Sequence, residues 1–481
     1  MLALRNIIQK IEEKDSKELL FWLRQSDAEK CAQLFLILRE GKVEEYSVAK
    51  HLALSPSAYY SLKSRLHSKI QDFFSHSIPD INIDLLKNVA NIPRLLYNTP
   101  REIAIAHLLK LEKELTDHDM PYALTEVYSA LKKLTRYSKK YFEYTQLYNK
   151  HMAYTMAIDK AKELLVDFNK VLGEFLMSRD MKQRDLLRMI QKEMYNYAQL
   201  YDSHRLMVYK NILDVEFALF TSIQPEALTY SVEEILIKTQ STINLYKNDA
   251  NYSFLSVLID FLWFEYCCQY KLFAKAEEYF LMVNDRLPIF LLNNFNCFPS
   301  VFLLSKAERF LAKKQKKALY DECSFLTDSY SPDPEDAPNY INFFKFQAIC
   351  SFYAKKYNES ISLLNDLMGT ISFRSFPYAE IELKIFLAVC YLMAKKQGLA
   401  DAMVKNVQRK LREVPANGYE NARVFVKMLA VAFGMVDGGR EKKLIKLSKS
   451  FLELNKGEYK MLEFIPIDEA FLKILSSTEK V

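Results

Sequence analysis

Glycine is scarce in this chain, at 9 of 481 residues, and proline is sparse at 14. Phosphate-cradling loops and hairpin-rich β-architecture both draw on glycine's access to left-handed backbone, so the shortage argues against nucleotide folds and sheets. The sequence holds no GxxxxGK[ST] and no GxGxxG, and "DGGR" at 437–440 stands between two helical stretches with no strand before it. Histidine is also rare. The seven (51, 67, 76, 107, 118, 151 and 204) form no HExxH and no zinc-finger spacing with cysteine. Asp117, His118 and Asp119 cluster in "TDHDM", but Met120-Pro121 follows at once, which reads as a loop opening a helix. No Ser-His-Asp or Cys-His arrangement can be drawn from spacing, and paired acids such as Glu277-Glu278 or Asp333/Glu335/Asp336 fall on a solvated helix start and in a loop. The expectation is no enzyme, no metal and no cofactor. Long apolar runs are missing too: "FLSVLIDFLWFEYCC" is broken by Asp260 and Glu265, "IFLAVCYLMA" is short, and "MLALRNIIQK" breaks at Arg5. No membrane span or signal peptide is expected.

Charge of one sign is likewise modest, with 66 basic against 60 acidic residues and a net charge of +6. That balance implies no polyanion partner. Seven cysteines (31, 267, 268, 297, 323, 350 and 390) lie mostly in apolar stretches without CxxC spacing. They read as buried, reduced thiols of a cytoplasmic protein, the vicinal Cys267-Cys268 included.

What is present is helix. Half the residues are hydrophobic, and the 30 Tyr and 32 Phe are read as core. Apolar residues recur at steps of three and four, as in Leu164, Leu165, Phe168, Val171, Leu172 and Phe175. Capping signals stand at Ser26/Glu29, at Thr99-Pro100/Glu102 and at Ser231/Glu234. The fold class is all-α. Punctuation at "SIPDINI" (77–83) and "TSIQPEALTYS" (221–231) divides the chain into 1–78, 79–225 and 226–481. "DSYSPDPEDAPNY" (328–340) is read as an exposed connector.

An internal repeat runs through the last part. "RFLAKKQ" (309–315), "SFYAKKY" (351–357) and "YLMAKKQ" (391–397) recur about every 40 residues, in the range of helical-hairpin arrays. The pairs Lys313/Lys314, Lys355/Lys356 and Lys395/Lys396 are expected in the last turn of a first helix, where the dipole favours cations. Ala348 and Ser360 are twelve apart, as are Ala388 and Ala400, placing small residues where two helices face. On these positions the chain resembles the tetratricopeptide family, with Ala276, Phe280 and Pro288 in "KLFAKAEEYFLMVNDRLP", Phe344, Ala348, Ser360 and Leu364 in the next unit, and Ala388, Tyr391 and Ala400 after it. It departs from that family in a repeat near 40 rather than 34 and in Trp263-Phe264 at the leucine-glycine position. The resemblance implies an α-α superhelix over residues 250–455 that binds a protein or peptide.

The N-terminal stretch "VAKHLALSPSAYYSLKSRLHSKI" (48–70) has the form of a helix-turn-helix. Val48, Leu52, Leu54, Tyr59 and Leu62 take the apolar places, Ala49 and Ala53 the small ones, and Ser55-Pro56 opens the second helix. In a major groove Ser57, Tyr60, Ser61 and Ser64 would face bases, with Lys50, Lys63, Arg65 and Lys69 near phosphates. Arg, Asn and Gln, the usual base readers, are missing from the forward face. The expected function is therefore a non-enzymatic protein- or peptide-binding helical-repeat scaffold or adaptor. The alternative is a transcriptional regulator, with this domain on DNA and a repeat domain as sensor.

Overall fold

The computed structural model describes the chain apart from residues 1–3, 5–7, 9–10, 12, 27, 41–51, 53–55, 77–80, 202, 222–229, 247–248, 292–297, 416, 434–438, 458–459 and 478–481. Among the described residues the regular elements are helices, and no strand occurs. The expected boundaries at 78 and 225 lie outside the described residues, as does the first helix of the helix-turn-helix apart from Leu52. The chain divides into two compact units: Met1–Thr155 with Leu245–Leu255 and Leu326–Tyr330, and Met156–Asn244 with Ser256–Phe325 and Ser331–Val481.

In the first unit, α1 (Glu13–Gln25), α2 (Glu29–Glu40) and α3 (Pro56–His76) close around one core. The reason is visible in α3, whose Tyr59, Leu62, Leu66, Ile70 and Phe73 recur at helical steps and are all buried. A second core joins α4 (Ile81–Ala90), α5 (Ile92–Asn98), α6 (Arg101–Asp117) and α7 (Pro121–Leu134) through residues such as Leu108, Leu115, Val127 and Leu131. "TDHDM" ends α6 rather than opening a loop of its own. His118 caps that helix, Asp119 turns with φ 49°, and its carboxylate accepts the Tyr154 hydroxyl at 2.6 Å.

Next along the chain come α8 (Lys140–Ser178), α9 (Met181–Leu200), α10 (His204–Phe220), α11 (Val232–Leu245), α12 (Ala250–Gln269), α13 (Phe273–Asp285) and α14 (Leu287–Leu291). The series ends with α15 (Phe298–Ala312), α16 (Lys316–Ser329), α17 (Ala337–Tyr353), α18 (Tyr357–Thr370), α19 (Pro377–Met393), α20 (Gln397–Glu413), α21 (Glu420–Phe433), α22 (Arg440–Leu454) and α23 (Glu469–Ser477).

The three capping signals fare differently. Ser231 and Glu234 form the reciprocal box: the Glu234 amide donates to Ser231 Oγ at 3.3 Å, and the Ser231 amide to Glu234 Oε2 at 2.8 Å. Ser26 instead donates backward, to the Leu23 carbonyl at 3.2 Å, which also accepts from the Ala28 amide at 3.0 Å in the turn that closes α1. The start of α6 carries no side-chain cap, and Pro100 supplies the first helical carbonyl acceptor in place of Thr99.

Helices in the second unit pack in adjacent pairs, as in a helical-repeat solenoid. Within pairs, α17 packs on α18, α19 on α20 and α21 on α22; between pairs, α15 packs on α17, α17 on α19 and α19 on α21. First helices are therefore apolar nearly all round, as in α17 and α19, while α20 buries only a stripe of Ala400, Val404, Val407 and Leu411. The twelve-residue pairs sit at the crossings: Ala348, Ser360, Ala388 and Ala400 have almost no solvent contact, and Ser360 Oγ donates to the Ala348 carbonyl at 2.9 Å.

The lysine pairs differ from expectation in a physically informative way. Lys271, Lys314, Lys355 and Lys395 stand beyond the first helix, with φ between 59° and 62°. Each turn is closed by the same two bonds, for example Lys356 N to Ser351 O at 2.9 Å and Lys355 N to Phe352 O at 3.0 Å. This is the Schellman closure, in which the left-handed residue usually is glycine. The structural repeat is this turn, and Lys314 matches Lys355, one place off the "AKK" alignment. Lysine heads then bridge to the preceding second helix: Lys313 to Glu277 at 2.9 Å, Lys356 to the Tyr320 hydroxyl at 2.5 Å and Lys396 to Asn358 at 2.7 Å.

Candidate functional site

Four first helices turn one side each toward a cavity of about 930 Å³ in the second unit. On α15 the facing residues Val301, Leu304, Ser305, Glu308 and Ala312 follow helical spacing; α12 contributes Glu265 and Cys268, α17 Ile341 and Lys345, and α19 Tyr378, Glu382 and Leu383. The rest of the wall comes from residues 460–464, from Leu176, Met177 and Arg179 at the end of α8, from Leu219 and Phe220 on α10, and from Phe273, Ala276 and Glu277 on α13.

Glu265 and Glu308 occupy the same place in consecutive hairpins, six residues before the left-handed Lys271 and Lys314. Ile349 and Val389 take that place in the next two hairpins. Burial pushes the Glu265 carboxyl up to about 7, against the stabilising hydrogen bond from Ser305 Oγ at 3.0 Å. Glu308 is also pushed up to about 7, first by burial and then by the negative Glu463, with Lys345 and Lys460 opposing. Glu308 is open to the cavity by accessible surface, yet protein crowds it closely enough for desolvation to dominate. Among the described residues Glu308 makes no hydrogen bond or ion pair.

Several other charges at the cavity are paired. Glu277 meets Arg309 at two nitrogens and Lys313 at 2.9 Å, and the Arg309 hydrogen bonds hold its carboxyl down to about 2. Lys345 Nζ donates to Glu382 at 2.5 Å and lies 5.1 Å from the Phe464 ring centroid. The guanidinium of Arg179 lies 5.4 Å from the ring of Tyr378. Cys268 is exposed at the cavity, which corrects its reading as a packing residue; Cys31, Cys267, Cys323, Cys350 and Cys390 are buried, and Cys297 lies outside the described residues. Although exposed at its surface, Cys268 has protein packed around it, and that desolvation together with the nearby Glu265 pushes its thiol up to about 12, so it is no thiolate nucleophile at neutral pH. Both signs of charge line the site, which suits a zwitterionic polypeptide better than a polyanion.

A smaller cavity of about 580 Å³ borders Gln240, Ser256, Asp260 and Arg286. There Arg286 is bound to Asp260 and to Ser256 Oγ, so these two charges satisfy each other. Among the described residues no group of three or more His, Cys, Asp or Glu could hold a metal ion, and no helix is long and apolar enough to cross a membrane.

Of the positions expected near DNA, Ser61, Ser64 and Arg65 are exposed together on α3, at helical spacing. Lys63 is half-buried, and Lys69 places its ammonium 4.9 Å from the Trp22 ring centroid. Lys50 and the side chains of Ser57 and Tyr60 lie outside the described residues.

Sequence reasoning missed the cavity. Its signal was a charge interrupting each apolar first helix: Glu265 in "LWFEYCC", Glu308 in "SKAERF", Lys345 in "NFFKFQA" and Glu382 in "AEIELKI". Compared with protein-family models, with curated proteins and with solved structures, the chain matches none.

Proposed function

We propose that the chain is a non-catalytic, tetratricopeptide-like superhelix of the cytoplasm that binds a peptide segment of a protein partner in the cavity of its second unit. The observation that carries this reading is the shared wall: four first helices aim one side each, with charges of both signs, at one cavity of about 930 Å³. Such a wall offers a bound chain apolar contacts and partners for its charged side chains. The test is to pan a displayed random-peptide library on the full chain and repeat the binding with Glu308→Lys and Lys345→Glu. Enriched peptides that lose binding in both variants support the reading. Peptides that bind wild type and variants equally would sink it.

A second reading, a transcriptional regulator, is supported by the joint exposure of Ser61, Ser64 and Arg65 on α3. It expects binding to bulk DNA that weakens steeply with salt and is lost in Lys63→Glu/Arg65→Glu. DNA binding unaffected by those substitutions would remove it.

A further inference from the structure

Residues 460–465 cross the cavity wall without helical structure. Their main-chain groups are gripped by side chains from other elements. Tyr378 donates its hydroxyl to the Lys460 carbonyl at 2.6 Å, Glu382 Oε1 accepts from the Leu462 amide at 2.8 Å, and the Tyr353 hydroxyl reaches the Phe464 carbonyl. Asn455 adds two more bonds, to Met461 O at 2.7 Å and from Met461 N at 3.3 Å. Met461, Leu462, Phe464 and Ile465 are buried, while Lys460 and Glu463 stay exposed. The Phe464 ring meets Phe386 edge-on at 4.8 Å. The segment turns at Leu462–Ile465, where the Ile465 amide donates to the Leu462 carbonyl at 2.9 Å, and it seats an apolar pair on each side of the exposed Glu463. A segment held through its main chain, with apolar side chains in fitted places, is bound as a docked peptide is.

The fit has two faults. Leu462 sits at φ 58°, a left-handed conformation that disfavours a branched side chain. Glu463 is the charged group that acts most strongly on Glu308, and it repels it. A ligand free to choose its own backbone and charge would avoid both.

We propose that residues 460–465 are a tethered ligand, and that a partner peptide with two apolar residues on each side of one basic residue takes their place on Tyr353, Tyr378, Glu382 and Phe386. The proposal rests on the peptide-binding reading above and names the partner's chemistry. In the exchange the four apolar residues replace Met461, Leu462, Phe464 and Ile465. The basic residue comes to the side of Glu308, which lacks an ion pair among the described residues.

The probes are fluorescein-labelled Lys-Met-Leu-Lys-Phe-Ile and Lys-Met-Leu-Glu-Phe-Ile, titrated against the full chain by fluorescence polarisation. The basic peptide is expected to bind about tenfold more tightly, a preference that collapses in Glu308→Gln. Phe464→Ala loosens the tether and is expected to tighten both peptides. Neither peptide binding to a Phe464→Ala protein of wild-type helicity overturns the proposal. Should that variant fail to fold, hydrogen exchange of wild type decides. Leu462 exchanging ahead of α17 and α19, and faster with the basic peptide, supports a tether. Exchange at Leu462 only together with those helices overturns it. Library peptides that bind yet leave Leu462 exchange unchanged would keep the peptide-binding reading and overturn this one.

Discussion

The hydroxyl of Ser360 donates to the carbonyl oxygen of Ala348 at 2.9 Å, joining the two helices of one hairpin where neither residue has any solvent contact. Cys390 Sγ of the next hairpin lies 3.3 Å from the same hydroxyl. A single small side chain thus sets both the spacing within a pair and the stacking onto the next. Ser360→Ala is expected to cost about 1 kcal/mol, the net worth of the bond. Ser360→Leu is expected to cost more, about 1–3 kcal/mol from overpacking alone. Urea midpoints measure both, and a Leu variant as stable as the Ala variant would contradict so close a crossing.

Lys395 holds φ 60° at the turn between α19 and α20, where a Cβ is disfavoured by roughly 1 kcal/mol. Lys395→Gly should raise stability by about that amount less glycine's chain entropy, while Lys395→Val should lower it, since a β-branched residue tolerates the conformation least. The thermal midpoints should fall in the order Gly, Lys, Val. Val matching Lys would mean that the turn relaxes out of the left-handed region.

These turns also show how far the sequence could be read. Period and composition led to helical hairpins, and the twelve-residue pairs landed on the crossings because small residues there have one physical use. The "AKK" strings were legible as markers but misplaced by a residue, since lysine at a left-handed position has no sequence signal comparable to glycine. Ser26 and Thr99 matched capping patterns that neighbouring carbonyls and Pro100 overrode. The cavity was harder still. Glu265, Glu308, Lys345 and Glu382 look like single interruptions until packing brings their helices side by side. "MLEFI" is a short apolar run that no periodicity rule assigns.

Glu265 and Glu308 make stability depend on pH. Both carboxyls are raised from an ordinary 4.5 to about 7 in the fold. Between these values the folded chain keeps protons that the unfolded chain has released, so stability falls as pH rises and the cost is fully present above about 7. Lys460 acts on both carboxyls, Glu308 on Glu265, and Glu463, Lys345 and Glu382 on Glu308. The double variant Glu265→Gln/Glu308→Gln should therefore show a flatter decline in urea midpoint from about pH 5 to about pH 8. An unchanged slope would mean that neither carboxyl is perturbed.

Glu382 serves two partners, accepting from Lys345 Nζ at 2.5 Å and from the Leu462 amide at 2.8 Å. Both Glu382 and Lys345 are nearly buried, with side chains 11% and 14% exposed. Glu382→Ala leaves a buried ammonium and an unpaired amide, and should cost about 3 kcal/mol or more. Glu382→Ala/Lys345→Met removes the stranded charge and should recover part of the loss. No recovery in the double variant would place the whole effect on the Leu462 amide.

Glu216 on α10 has no solvent contact, and its Oε2 accepts from Asn169 Nδ2 of α8 at 3.3 Å. Burial raises its carboxyl well above 4.5, outweighing the Asn169 hydrogen bond that favours the anion. A protonated acid at neutral pH is chemically close to a glutamine: one oxygen accepts and the rest is uncharged. Glu216→Gln keeps the acceptor for Asn169 and cannot ionise in either state. Wild-type stability falls as pH climbs from 4.5 toward the folded value, because the unfolded chain alone gains from ionising. The variant escapes that loss, so its advantage in urea midpoint should grow from about pH 5 to about pH 8. An advantage that stayed constant across that range would mean that Glu216 releases its proton as readily inside the fold as outside it.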